Sequence, residues 1–467
     1  MIVWKEGAPM PVNSFADYPM SWRPEIPVGA APLYQRLADR LRADIRSGVL
    51  RPGTKLPPQR ELADFLDINI STVSRAFRVC AAQGLLTGTV GSGTFVTYRA
   101  YTDLIRPPAS DTVIELGSMT PETAPLPELT ELLGALLDED RDGALYQYSR
   151  GLAPWQRHAA AALLDAAGCP VPEGQILTAS GGQNALAAVF SGLLRPGNRV
   201  GVDPLVYPGV MDAARLLGVR LVPVAADGSG QMSPEALARA VRTEGLRAVY
   251  LMPDGQNPTA RVLTEARRDA LAEVVRSTGL LVIEDGITSL LEPDTRSLFA
   301  RVPERTVFVL SLSKTVAPML RLAYVAAPEP YRAALERALY ALDLSQSRLS
   351  IELASRLIAS GRLETLLARR RAQVCARNAA ADRVLAGLPL SGGARSLCRF
   401  LSLPQGTDSA VFEQRALERG VQVYGSYRFA AGSRCGTPGA RLAVCAPASE
   451  AELETALTRL RELYLQP

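Results

Sequence analysis

Residues 307–314 run Val307-Phe308-Val309-Leu310-Ser311-Leu312-Ser313-Lys314. An unbroken apolar run that gives way to hydroxyls and a lysine fits a strand buried on both faces, presenting an amine at the C-terminal edge of its sheet. Of the 51 basic residues only Lys5, Lys55 and Lys314 are lysines, so Lys314 is the only one after position 55. Arginine replaces lysine as a charge, but its guanidinium stays protonated and cannot serve as an amine nucleophile. Lys314 is therefore the chain's candidate for amine chemistry, such as a Schiff base with a carbonyl cofactor. Upstream, Ile283-Glu284-Asp285 is a second apolar strand end, here closed by carboxylates.

Outward from these two ends, apolar strands alternate with helix-length segments. The strands are Gln175–Thr178, Arg199–Val202, Arg220–Val224, Ala248–Leu251, Leu280–Ile283, Val307–Leu310 and Ala323–Ala327. Such alternation predicts a largely parallel α/β sheet with its site at the C-terminal strand ends. Distinctive residues fall at those ends. Ser180-Gly181-Gly182-Gln183 opens a helix whose N–H groups can bind a phosphate. Tyr207 follows the second strand, Asn257 the fourth, Asp285 the fifth, and Ser311, Ser313 and Lys314 the sixth, with Arg321 seven residues on. Asparagine, aspartate, lysine and arginine in this order fit pyridoxal 5'-phosphate. The lysine forms the aldimine, the carboxylate keeps the pyridine nitrogen protonated, and hydroxyls with an arginine hold the phosphate.

This set resembles the type I aminotransferase fold, over essentially all of residues 115–467. The resemblance implies Lys314 for the internal aldimine, Asp285 for the pyridine nitrogen, Asn257 for the ring's phenolic oxygen and Tyr207 stacked on its face. It implies Ser180, Gly181, Gln183, Ser311, Ser313 and Arg321 around the phosphate. Arg441, in Ala440-Arg441-Leu442-Ala443-Val444, matches the arginine that binds a substrate α-carboxylate. Arg157 belongs to another family segment and is read as structural. One departure stands out: many relatives carry a tyrosine three residues after the aspartate, where this chain has Thr288, preceded by Ile287. A threonine is too short to reach as a phenol does, which points to cofactor binding with poor turnover.

Charge is unevenly placed. Residues 31–100 carry ten arginines and lysines against five acids, a net +5, whereas the whole chain is +4. A small basic module on a near-neutral body suggests nucleic acid as the partner of that module alone. Leu33, Leu37, Leu41 and Ile45 space one amphipathic helix, which Gly48 ends; a second covers Gln59–Leu66. Ser71 is read as the N-cap of a third helix that buries Val73, Ala76, Phe77 and Cys80. Leu85–Thr87 and Gly93–Val96 then make a β-hairpin, completing a winged helix-turn-helix.

The string KLPPQRELADFLDINISTVSRAFRVCAAQGLL…GSGTFV resembles the GntR family of bacterial regulators. By that resemblance Arg60, Ser71, Thr72, Ser74 and Arg75 face double-stranded DNA; Lys55 and Arg78 are read either as phosphate contacts or as solvated charges. Relatives often place an arginine in the wing where this chain has Ser92, which argues against a wing contact in the minor groove. A GntR-type winged helix fused to an aminotransferase-like domain is the architecture of the MocR subfamily. The expected layout is an irregular extension over 1–30, the winged helix over 31–100, a linker over 101–115 and the cofactor-binding domain over 116–467. A small C-terminal α+β subdomain is expected from about residue 350.

Composition bounds the rest. At 467 residues, 47% hydrophobic and 21% charged, the chain has an ordinary globular mix for two or three domains. No apolar run approaches the ~20 residues that span a bilayer, and the proline-broken amino terminus has no signal-peptide core. Six scattered cysteines without a C-x-x-C pair fit reduced cytoplasmic thiols. The single histidine, His158, excludes a metal site needing two histidines, and no metal is expected. Three functions fit these observations. The leading one is a transcriptional regulator sensing an amino acid or amine by external aldimine formation. The others are an active aminotransferase with an appended DNA-binding domain, and a regulator for which the cofactor itself is the signal. The resemblance also implies a homodimer.

Overall fold

The computed structural model describes residues 20–47, 49–50, 53–89, 93–97, 113–120, 126–292, 294–432 and 437–466. Gly48, the turn residues Arg51 and Pro52, the wing tip with Ser92, residues 101–112 of the expected linker and Cys435 lie outside them. The chain divides into two compact units, Met1–Thr112 and Val113–Pro467.

In the first unit the four-residue spacing of Leu37, Leu41 and Ile45 gives helix α1 (Leu33–Arg46), whose apolar face packs on α2 (Gln59–Leu66) and α3 (Ile70–Ala82). Asp67 ends α2 in the left-handed region at φ 53°, which a short polar side chain tolerates. The N-cap of α3 is Asn69 rather than Ser71: the Asn69 side chain accepts from the Ser71 N–H at 2.9 Å. Both types cap well, so the helix starts where the side-chain oxygen reaches an N–H two residues on. Strands β1 (Leu86–Thr89) and β2 (Gly93–Val96) pair antiparallel, Leu86 against Val96. Part of the stretch expected as an irregular extension belongs to this core. Trp22 is 3% exposed, packs among the three helices and donates its indole N–H to Asp44 at 2.8 Å.

The second unit is built on a seven-stranded sheet. Its strands are β4 (Ile176–Ala179), β5 (Arg199–Val202), β6 (Arg220–Pro223), β7 (Ala248–Leu251), β8 (Leu281–Asp285), β9 (Thr306–Ser311) and β10 (Ala323–Ala326). They lie in the order β4-β10-β9-β8-β7-β5-β6, and every pairing is parallel except the two made by β10. The stretch from Ser311 to Ala323 holds one short 3-10 turn and no crossover helix, so β10 returns antiparallel. Helices cover both faces in three apolar clusters, one including Leu163, Leu310 and Leu357, a second Val189, Ile283 and Val309, and a third Leu237, Leu271 and Val282.

A four-stranded sheet, which includes β12 (Arg399–Ser402), β14 (Tyr424–Gly425) and β15 (Gly439–Leu442), packs with the long helix Arg362–Val384 and the last helix Glu450–Leu465. Within the stretch read as linker, Ile114–Glu115 forms β3 and pairs parallel with β13 (Val421–Gln422). Ile351 to Leu367 pack instead in the cluster flanking the large sheet. Among the described residues no helix is long and apolar enough to cross a membrane.

Candidate functional site

Parallel pairing puts the ends of β8 and β9 side by side, Asp285 opposite Val309, so the carboxylate and the residues leading to Lys314 open on one edge. Asp285 is 5% exposed. Burial pushes its carboxyl up to about 6, against the opposing pull of two donors: the Tyr250 hydroxyl on Oδ2 at 2.8 Å and the Ile287 N–H on Oδ1 at 3.2 Å. Tyr250 comes from the neighbouring β7 and is itself fully buried. Burial and then the Asp285 charge raise its phenol well above the ordinary value.

Lys314 is mostly buried, and desolvation holds its amine below the usual lysine range, with Arg441 and Arg321 adding repulsion. Its Nζ donates to the Met119 carbonyl at 2.5 Å. The Cys445 thiol lines the same small cavity, and burial pushes it up to about 11, so it stays protonated.

Arg441, on β15, is 5% exposed, and burial lowers its basicity. Its Nη1 donates to Asn257 Oδ1 at 2.8 Å and its Nη2 to the Gly117 carbonyl. The Phe429 and Tyr424 ring centres lie 4.8 and 5.4 Å from the guanidinium carbon, and Nε has no partner among the described residues. Asn257 thus spends its oxygen on Arg441, which leaves its amide N–H groups for another acceptor. Tyr207 precedes the helix Pro208–Leu216, and its phenol is raised by burial and by nearby Asp285.

The third corner is an anion cradle. Gly181 caps the helix Gly182–Leu193 at φ 92°, and a Cβ there would meet Arg321 Nη2 at 2.7 Å, so the close approach requires glycine. Arg321 donates to the Ser180 carbonyl at 3.2 Å and to Ser313 Oγ at 3.5 Å, while Ser311 Oγ donates to Ser313 Oγ at 3.3 Å. The first N–H groups of the helix point at this space without intrahelical acceptors. The Gln183 side-chain amide donates to the Gly209 carbonyl at 2.7 Å, and its buried Oε1 has no partner among the described residues. A carboxylate also enters the cradle: the Ser180 hydroxyl donates to Asp343.

The residues singled out between Ser180 and Arg441 therefore converge within one unit. Four features escaped the sequence reading: Tyr250, Asp343, and the carbonyls of Gly117 and Met119. Thr288 donates its hydroxyl to the Asp254 carbonyl at 3.0 Å. Arg157 donates twice to the Leu152 carbonyl, at 3.1 and 2.9 Å, a structural use, and His158 is an exposed helix residue beside Glu173.

In the winged-helix unit Lys55, Arg60, Ser71, Arg75 and Arg78 are exposed, and Thr72 and Ser74 half-buried. Ser74 donates to Gln59 at 2.5 Å, tying α3 to α2, and the Arg75 guanidinium rests 3.9 Å from the Tyr34 ring centre.

Comparison with known proteins accords with both halves. Residues 33–96 match the family described as bacterial regulatory proteins, gntR family, and residues 111–460 match aminotransferase class I and II. The chain is 42% identical to the uncharacterized HTH-type transcriptional regulator YdeF of Bacillus subtilis, over 97% of this chain and 99% of that one. It is 31% identical to the vitamin B6 salvage pathway transcriptional repressor PtsJ of Salmonella typhimurium, over 62% of this chain and 66% of that one. Among solved structures it is similar to LysN, an alpha-aminoadipate aminotransferase of Thermus thermophilus complexed with N-(5'-phosphopyridoxyl)-L-leucine. That match has a TM-score of 0.67 and 27% identity, over 76% of this chain and 92% of that one. The fold and site define a winged-helix protein carrying an aminotransferase domain. The chain belongs to the HTH-type transcriptional regulators in which a gntR-type module is joined to an aminotransferase class I and II domain, the MocR-type arrangement.

Proposed function

We propose that this regulator holds pyridoxal 5'-phosphate on Lys314 and responds to an amino acid or amine that reaches the same site, changing the affinity of its winged helix for an operator. The observation that carries the reading is the meeting of a desolvated lysine, a buried carboxylate and a buried arginine at one sheet edge. The residues fit the cofactor: a glycine-lined cradle with Arg321 for a phosphate, and a carboxylate aimed at the edge where a protonated ring nitrogen would lie. When bound, the group supplies an aldehyde carbon for amines and an electron-withdrawing ring.

The chain's own residues do the rest. Desolvation of Lys314 leaves more of its amine neutral, hence nucleophilic, near neutral pH. Asp285, fixed by Tyr250 and Ile287, accepts a proton-bearing partner at its carboxylate oxygens. Asn257 offers an amide N–H, oriented by Arg441, and Arg441 offers its guanidinium to a carboxylate. Thr288 is occupied with Asp254, so no hydroxyl from that position reaches the ring, which favours binding over rapid turnover. A ligand that binds two conformations unequally shifts their populations, and that difference is what a regulator needs.

A second reading, in which the cofactor itself is the signal, is favoured by Asp343. A carboxylate in the cradle must yield to a phosphate, so cofactor arrival changes the chain there. The relative named for vitamin B6 salvage is consistent with it. Assembly as a homodimer is part of the proposal: Tyr340, Leu342 and Leu344 are exposed apolar side chains close together in sequence, which a second copy would cover. The test is optical. Purified protein given pyridoxal 5'-phosphate should develop a visible absorbance band that amino acids shift and that Lys314→Ala lacks. The same band in Lys314→Ala would refute the assignment.

A further inference from the structure

Two of the site's three cations are held by main-chain carbonyls of one short segment: Lys314 by Met119 and Arg441 by Gly117. The segment begins firmly. Strand β3 pairs with β13, the Leu116 N–H donates to Gln422 at 2.8 Å, and the Leu116 carbonyl accepts from Ala443 at 2.7 Å. Leu116 itself is fully buried. Beyond it the hold changes character. The Gly117 and Ser118 N–H groups donate to the Glu115 carboxylate at 2.5 and 2.8 Å; the Gly117 and Met119 carbonyls end on Arg441 and Lys314, and the Ser118 carbonyl between them accepts from the Thr120 N–H at 2.8 Å. The turn also sits tightly, since a Cβ on Gly117 would meet the Tyr424 ring at 2.5 Å.

We infer that Gly117–Met119 is a strap that competes with ligands for Lys314 and Arg441, and that its release signals occupancy; the inference rests on the cofactor reading given above. A carboxylate grips a guanidinium through two neighbouring nitrogens, Nη2 with either Nε or Nη1. Nη2 belongs to both pairs, and it is the nitrogen that Gly117 occupies. Two aromatic rings lie near the guanidinium and Asn257 holds Nη1, all from buried or half-buried positions. The strap holds the two cations through main-chain carbonyls, with the Met119 side chain packed against Leu291, Val374, Leu397 and Cys445. Release has two stages. The cofactor takes Lys314 from Met119, and a ligand carboxylate takes Arg441 from Gly117. An amine without a carboxylate leaves the Gly117 bond in place. In sequence the strap follows residues 98–113, which join it to the wing strand β2, so the released segment is continuous with the chain entering the DNA-binding unit.

Hydrogen exchange of the full-length protein over residues 114–120 tests this. Pyridoxal 5'-phosphate is added first, then either aminooxyacetate or methoxyamine. Both displace the Lys314 amine from the cofactor's aldehyde carbon to form an oxime, and only aminooxyacetate carries a carboxylate. Exchange should rise about tenfold with aminooxyacetate and stay at the cofactor-only level with methoxyamine. If absorbance shows that both have reacted and protection is the same, the strap is overturned and the cofactor site stands. If neither changes the absorbance, the cofactor reading falls and the strap with it. Glu115 is exposed, and its charge also acts on Arg441, so Glu115→Ala, which loosens the strap, is read against Glu115→Gln, which removes the same charge and keeps an oxygen for the two N–H groups. The ratio of the aminooxyacetate rate to the methoxyamine rate should then rise roughly threefold to tenfold, as the closed fraction falls. An unchanged ratio overturns the proposal.

Discussion

Replacing Asp343 by asparagine removes one negative charge from the anion cradle while keeping an oxygen that can accept the Ser180 hydroxyl. Asp343 is the last residue of the helix Glu329–Asp343, followed by Leu344 at φ 47°, so its carboxylate is delivered to Ser180 by a fixed corner. With ordinary hydrogen-bond lengths, a phosphate accepting from Ser180 would place its charge about 5 Å from that carboxylate. At an effective dielectric of about 40–80, each unit-charge pair at this distance costs roughly 0.8–1.7 kcal/mol, hence about 2–3 kcal/mol for the dianion. Asp343 is half-exposed, and screening by water and salt reduces this to about 1–2 kcal/mol. Asp343→Asn should therefore bind pyridoxal 5'-phosphate roughly 5- to 30-fold more tightly. The assay is a fluorescence titration of apoprotein at low and high salt, with pyridoxal as the phosphate-free control. The gain should shrink with salt and be absent for pyridoxal. Equal or weaker binding of pyridoxal 5'-phosphate by the variant at low salt would refute the reasoning.

Two further predictions concern Asp285 and Arg75. In the apoprotein the Asp285 carboxyl is raised to about 6 by burial, so the native state holds its proton more tightly than the unfolded chain. The resulting stabilisation is full below about pH 4 and lost as pH rises through about 6, amounting to roughly 3 kcal/mol. Urea unfolding at pH 4 and pH 7 should show a difference smaller by about that amount in Asp285→Asn, and identical differences would contradict the placement of the charge. Arg75 must leave the Tyr34 ring to reach DNA, so Arg75→Ala should cost ~1–3 kcal/mol on the preferred operator alone if it contacts a base edge. A uniform loss on all sequences, with a shallower salt slope, would make it a phosphate contact.

The large sheet was legible because parallel strands buried on both faces write themselves as continuous apolar runs, and their ends carried Asn257, Asp285 and Lys314. The reversal of β10 was not, since strand direction depends on the connection and leaves no mark on Ala323–Ala326. Tyr250 sits in a run whose two faces are equally apolar, so its aim at Asp285 was invisible. The holds on Lys314 and Arg441 by Met119 and Gly117 are made by carbonyls, which every residue owns. Asp343 meets Ser180 from 163 residues away, and no local pattern announces such a contact. In the winged helix the periodicity gave all three helices, whereas Trp22 joined their core from a proline-rich stretch without periodicity.

The central claim is that occupancy of the Lys314 site alters DNA binding. Fluorescence anisotropy with an operator selected from a random pool measures it directly, for the apoprotein, with pyridoxal 5'-phosphate, and with an amino acid that shifts the absorbance band. Operator affinity of the natural protein should change by about tenfold or more between these states at fixed salt, and Lys314→Ala should bind alike in all of them. Equal affinity of the natural protein in every state, or an undiminished response in Lys314→Ala, would contradict it.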